Sequence, residues 1–239
     1  FQSYSKESQH KKASESVKAL YLELLYKKSI LSDCADKYKT LCTWMELKEV
    51  ELSLESVSAR YHKHIKEANL SLKEHQFLPK IEHLDKRVAD SFLDIDIYLD
   101  NIRSSFNIGS IMRTTEALRL GKLIFSSEMA KPDHKKVLDT AMGTEKFQSP
   151  RIDANFIPVK SPVIAIETAE RATSLYEFVF PKNFTLIFGN EEYGISNKYL
   201  KKADHIVKIP LHGIKNSLNV ASAFSIVGYE IRRQLKVKA

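Results

Sequence analysis

At 239 residues and 43% apolar content, the chain can form one large domain or a catalytic domain with a smaller appendage, and it is too apolar for wholesale disorder. No apolar run approaches the roughly 20 residues that cross a bilayer, which excludes a membrane-spanning role. A net charge of +7 suits a polyanionic partner, because cations that neutralise phosphates release condensed counterions.

Phe1-Gln2-Ser3 reads as the remnant of a cleavable tag, with no secretory segment at the start. Residues 4–78 contain neither glycine nor proline and are rich in Leu, Lys, Glu and Ala, which favours helix. Val17, Leu20, Leu24 and Leu25 follow helical spacing over about 14–31. Asp33 reads as the cap of a second helix carrying Ala35, Tyr38, Leu41, Cys42 and Met45. A third helix over about 47–68 uses Val50, Leu54, Val57, Tyr61 and Ile65. Cys34 and Cys42 share the second helix, so no disulfide framework is expected, and a reducing, cytoplasmic setting is. His62-Lys63-His64 reads as solvated helix surface rather than a ligand pair, and no metal site is expected. Residues 4–90 hold 16 basic and 14 acidic side chains, the balance of a solvated helical face. The expected organisation is a small all-helical module over 4–88 followed by an α/β domain over 89–239.

Beyond residue 88 the texture changes to short apolar runs separated by helical stretches. Residues 92–99, 122–125, 163–166, 185–188 and 205–209 read as strands; about 108–120, 134–142 and 217–234 read as helices. Alternating strands and helices predict a mostly parallel sheet with helices on both faces, whose ligands sit beyond the carboxyl ends of the strands.

Three segments begin at such strand ends. The first runs over 100–114, where Asn107 reads as a helix cap, Gly109 as a point of close chain approach, and Arg103 and Arg113 as two cations from one short segment. An isolated arginine would be read as a solvated ion pair; two beside a cleft shift the reading toward phosphate or ribose contact. The second is Gly189-Asn190-Glu191-Glu192-Tyr193-Gly194, which alone could be a simple turn. It is neither a dinucleotide fingerprint nor a phosphate loop, since its glycines are five apart. The third runs from Ile209-Pro210 through Gly213 to Ser217-Leu218-Asn219-Val220, opening an apolar helix with small residues at its start. Free N–H groups there could hold an adenine edge or a carboxylate. Ser217 could simply cap the helix, and a buried Asn219 would need partners for its amide.

Together, in this order and spacing, the segments resemble the three signature motifs of the SpoU (TrmH-like) class of SPOUT RNA ribose 2′-O-methyltransferases over about 90–235. Thr140-Ala141-Met142-Gly143-Thr144-Glu145 also resembles a segment common in the class. The resemblance implies a SPOUT-like sheet with a C-terminal trefoil knot, a homodimer, and S-adenosylmethionine held at Gly189, Ile209, Leu218, Ser217 and Asn219. It implies catalytic positions at Arg113, Asn107, Glu191, Ser217 and Asn219, with Arg103 and Arg113 contacting RNA. The expected substrate is tRNA or rRNA, with tRNA placed slightly ahead. A guanidinium keeps its proton to a pKa above ~12, so Arg113 is read as stabilising the nascent alkoxide, not as a base. Arg119 stands where glycine is common in the class, and Leu211 where Met is. The alternative function is a catalytically inactive SPOUT-fold RNA-binding protein; a small-molecule methyltransferase lacks the expected glycine pattern.

Overall fold

The computed structural model describes residues 1–25, 33–70 and 90–235. The chain divides into two compact units, Phe1–Pro79 and Lys80–Ala239. The expected boundary at residues 88 and 89 lies outside the described residues.

Among the described residues, three helices build the first unit: α1 (Lys6–Leu25), α2 (Asp33–Trp44) and α3 (Leu54–Glu67). Helix α1 starts eight residues before its expected onset, and its expected end at residue 31 lies outside the described residues. Ser53 caps α3 by accepting the Ser56 N–H at 3.1 Å, which is why the helix begins there and not near 47. Ala13, Val17 and Leu20 of α1 bury against Tyr38 and Cys42 of α2 and Val57, Tyr61 and Ile65 of α3. Both cysteines are free.

His64 corrects the expectation of a solvated His-Lys-His surface. It is fully buried, while His62 is exposed. Its Nε2 lies 2.7 Å from the Tyr38 hydroxyl and its Nδ1 2.9 Å from His10 Nδ1. Arg60 donates to the Tyr38 oxygen at 3.4 Å. The neutral His64 ring has one donor and one acceptor nitrogen, so both of its nitrogens have a partner in Tyr38 and His10. Burial, together with the neighbouring His10 and Arg60, pushes the His64 pKa down to about 4.

Among the described residues the second unit is built on a parallel sheet of seven strands in the order β3-β2-β1-β6-β4-β7-β5. The strands are β1 (Asp96–Leu99), β2 (Lys122–Phe125), β3 (Arg151–Ile152), β4 (Val163–Ile166), β5 (Thr173–Ser174), β6 (Thr185–Phe188) and β7 (His205–Lys208). Apolar residues of β1, β2, β4 and β6 bury on both faces, as expected of a parallel sheet. The helices are α4 (Ser105–Leu118), α5 (Lys135–Ala141), α6 (Asn197–Leu200) and α7 (Val220–Gln234). Ile97, Leu99, Phe125, Leu186 and Phe188 pack on one face with α4, α5 and α7. Tyr98, Ile124, Ala165 and Ile187 pack on the other with Phe156 and with Tyr199 of α6. Among the described residues that second face is covered by one short helix and a loop, a lighter cover than the expected helical layers. Each fully buried Ile, Leu or Phe contributes roughly 1.5–3 kcal/mol.

Candidate functional site

β6 lies between β1 and β4 in register, with Phe188 level with Leu99 and Ile166. The carboxyl ends of β1, β4, β6 and β7 therefore open on the same side of the sheet, where a cavity of about 420 Å³ forms. This is within the usual range for small-ligand pockets of about 300–1,000 Å³. Its walls are the 189–194 turn, the 208–218 segment, and Ile166, Glu167 and Thr168 at the end of β4.

Each expected motif contributes to the wall or to the frame behind it. Gly189 lines the cavity; a Cβ there would strike the backbone of Gly194 and Ile195, so the glycine lets the turn fold back. Gly194 has φ +73°, the left-handed backbone that glycine adopts without strain. Asn190 and Gly194 exchange two backbone hydrogen bonds at 2.9 and 3.0 Å, closing the turn. Gly109 lets α5 approach α4: a Cβ would stand 2.5 Å from the Val137 carbonyl oxygen and 2.9 Å from the Ala141 nitrogen.

Glu191 joins the second segment to the first. Its carboxylate accepts the Arg103 N–H at 2.9 Å, the Ser104 N–H at 3.0 Å and the Asn107 amide at 2.9 Å. Partial burial would raise the Glu191 carboxyl, but these bonds outweigh it and hold it below the usual range. Asn107 is buried, and its Oδ1 accepts the Asn219 amide at 3.0 Å. Asn219 Oδ1 in turn accepts the Ala221 N–H at 2.9 Å and the Ser222 N–H at 3.3 Å, capping α7. One chain of side chains, Glu191 to Asn107 to Asn219, stitches all three segments together.

Two cap assignments are corrected by these contacts. Ser104, not Asn107, caps α4, accepting the Asn107 N–H at 3.3 Å. Asn219, not Ser217, caps α7, so the helix opens at Val220 and leaves Ser217 and Leu218 in the loop. Asn219 is itself exposed rather than buried.

Gly189, Glu191, Ile209, Ser217 and Leu218 line the cavity, whereas Asn107, Asn219, Arg103 and Arg113 do not. Among the described residues no backbone–backbone hydrogen bond involves residues 211–218, so Leu211, Ser217 and Leu218, which lie on the wall, offer main-chain donors and acceptors to a ligand. Arg103 sits at the rim, its guanidinium 2.6 Å from Glu192 Oε2 with both side chains exposed. Arg113 is exposed on α4, and its side chain forms no hydrogen bond or ion pair among the described residues. Sequence reasoning missed Glu167 and Thr168, which follow β4 without any motif of their own. Among the described residues no cluster suits a metal ion, and no helix is long and apolar enough to cross a membrane.

Known proteins give this geometry a family. An uncharacterized tRNA/rRNA methyltransferase of Mycoplasma pneumoniae is 29% identical over 88% of this chain and 91% of its own length. The tRNA (guanosine(18)-2′-O)-methyltransferase of Thermus thermophilus is 28% identical over 59% of this chain and 75% of its own. The solved SpoU methyltransferase AviRb of Streptomyces viridochromogenes, in complex with AdoMet, superposes with TM-score 0.52 at 27% identity, covering 63% of each chain. The model of the SpoU rRNA methylase family matches residues 94–229, and the chain belongs to that family.

Proposed function

We propose that this chain transfers a methyl group from S-adenosylmethionine to a ribose 2′-hydroxyl of tRNA or rRNA. The observation that carries the reading is one cavity at the carboxyl ends of β4, β6 and β7, lined by the second and third motif segments and tied to the first through Asn107. The Thermus relative is named for 2′-O-methylation of a tRNA guanosine, and the AviRb structure for its AdoMet complex.

The cavity fits such a cofactor because Leu211, Ser217 and Leu218, whose main-chain groups form no backbone–backbone hydrogen bond among the described residues, line it together with Gly189, which has no side chain. Gly189, Ile209, Ser217 and Leu218 would hold it, with Asn219 fixing the loop from behind through the α7 cap. When bound, S-adenosylmethionine supplies an electrophilic methyl on a positively charged sulfur. A neutral hydroxyl is a weak nucleophile, so the chain must stabilise the charge that develops as its proton leaves. Arg113 does this by electrostatics and by orienting the adjacent phosphate; a phosphate oxygen or water takes the proton. Arg103 contributes a second phosphate contact: its exposed pair with Glu192 is worth at most about 1 kcal/mol and gives way readily.

Arg113 stands off the wall of its own cavity, so the reading needs a second copy of the chain to bring it there. A homodimer across α4 and α7 supplies it, and the exposed stripe of Ser222, Ile226, Tyr229 and Arg233 on α7 supports that surface. The C-terminal trefoil knot belongs to the same reading: after β7, which lies beyond β4 in the sheet, the chain returns so that α7 packs against α4, the helix that follows β1. The helical module over 4–88 is read as a separate appendage.

The test is incubation with methyl-labelled S-adenosylmethionine and either total tRNA or rRNA, followed by alkaline hydrolysis. Label in hydrolysis-resistant dinucleotides is expected. Label on bases, or RNA binding without transfer, overturns the proposal. Mixing Arg113→Ala chains with chains blocked at Gly189 should restore part of the lost activity; no recovery removes the shared site.

A further inference from the structure

Glu167 is the first residue beyond β4, and its backbone N–H still bonds the Val207 carbonyl at 3.1 Å, so the strand ladder holds its base. Its Oε2 accepts the Ile195 N–H at 3.0 Å, and its Oε1 accepts the Thr168 N–H at 2.8 Å. A Cβ on Gly194 would collide with Glu167 Oε2. The missing side chain at 194 therefore serves two purposes: it permits the left-handed turn and admits the carboxylate. Next door, the Thr168 hydroxyl donates to the Asn216 carbonyl at 3.4 Å. Glu167, Thr168, Gly194 and Asn216 all line the cavity. One dipeptide thus touches both walls, the 190–195 turn through Glu167 and the 211–218 loop through Thr168.

We propose that Glu167 is a positioning residue for the cofactor cavity, clasping the 190–195 turn to the end of β4 and, with Thr168, setting the spacing of the two walls. The inference rests on the methyltransferase reading for its ligand and on bonding geometry for the clasp itself. A carboxylate accepting a backbone N–H makes a stronger bond than a neutral acceptor, which suits it to hold a turn that lacks strand partners of its own. Asp100 does the same from the other side, accepting the Ser196 N–H at 2.8 Å, but it does not line the cavity. Glu167 alone of the two couples the turn to the ligand space.

Two measurements test this on the full chain. In ligand-free protein, hydrogen exchange at 192–196 should quicken at least tenfold in Glu167→Ala. Glu167→Gln, whose amide oxygen can still accept the Ile195 N–H, should fall between it and the parent. Titration with S-adenosylmethionine should then show Kd and cofactor KM raised about tenfold in Glu167→Ala, with kcat at saturation within threefold, RNA KM unchanged and partial rescue by Glu167→Gln. Gly194→Ala, which displaces the carboxylate, should reproduce the alanine variant. Unchanged exchange in Glu167→Ala, or a fall in kcat with unaltered cofactor affinity, overturns the clasp. A parent chain that binds no S-adenosylmethionine while exchange responds as expected overturns the cofactor reading and leaves the clasp standing.

Discussion

Replacing Asn107 with alanine removes the middle link between the three motif segments. The amide donates to the Glu191 carboxylate at 2.9 Å and its carbonyl accepts from Asn219 at 3.0 Å. A bond to a charged partner is worth about 1.5–3 kcal/mol and a neutral one about 1 kcal/mol. Glu191 and Asn219 are exposed enough for water to take over part of each bond, so the expected loss is about 2 kcal/mol. For a unit of this size that lowers Tm by about 4–8 °C. Urea unfolding of the parent, Asn107→Ala, Glu191→Ala and the double variant should give a coupling of about 1–2 kcal/mol between the two sites. Costs that simply add, within about 0.5 kcal/mol, would refute the stitched network, because independent residues show no coupling.

Arg113→Ala should slow methyl transfer by about 100- to 1,000-fold, the usual cost of losing one preorganised charge stabiliser, with cofactor Kd unchanged in titration. Gly189→Ala should weaken cofactor binding at least tenfold, measured calorimetrically, because the added carbon meets the folded-back turn. The helical unit should be acid-labile through His64, whose folded pKa of about 4 lies below its unfolded value near 6.5. With the folded value depressed, the unfolded state binds more protons in between, so stability is full above about pH 6.5 and falls on acidification. The loss should reach about 2 kcal/mol at pH 5, read by fluorescence of Trp44, the only tryptophan, and should vanish in His64→Phe.

Apolar runs at 122–125, 163–166 and 185–188 were legible in the sequence because both faces of these strands are buried, leaving little polar alternation. β3 and β5 were not, since each pairs over two residues at a sheet edge and carries no apolar signature. The caps were misread by two or three positions because Ser104 and Asn107, like Ser217 and Asn219, are residue types that cap equally well; only the bonds to the Asn107, Ala221 and Ser222 N–H groups separate them. His64 did carry a signal: it follows Val57 and Tyr61 at helical spacing beside Ile65, which puts it on the buried face and turns His62 outward. Gly189, Glu191, Ile209, Ser217 and Leu218, singled out through the family resemblance, lie on the cavity wall. Glu167 and Thr168 escaped because their place depends on β4 lying beside β6, which is a property of the sheet order and of no local pattern.

That sheet order also governs how the protein is made. β6 fills the gap between β1 and β4, while β4 and β5 depend for all their pairing on strands that follow them. A nascent chain that has not yet delivered residues 185–208 therefore carries β1 with one flank bare and β4 with both. Ile97, Leu99, Ile164 and Ile166 then lie on open strand edges, the kind of surface that neighbouring chains join. Translation speed and chaperone access over that last stretch should govern yield more than any substitution at the carboxyl ends of the strands.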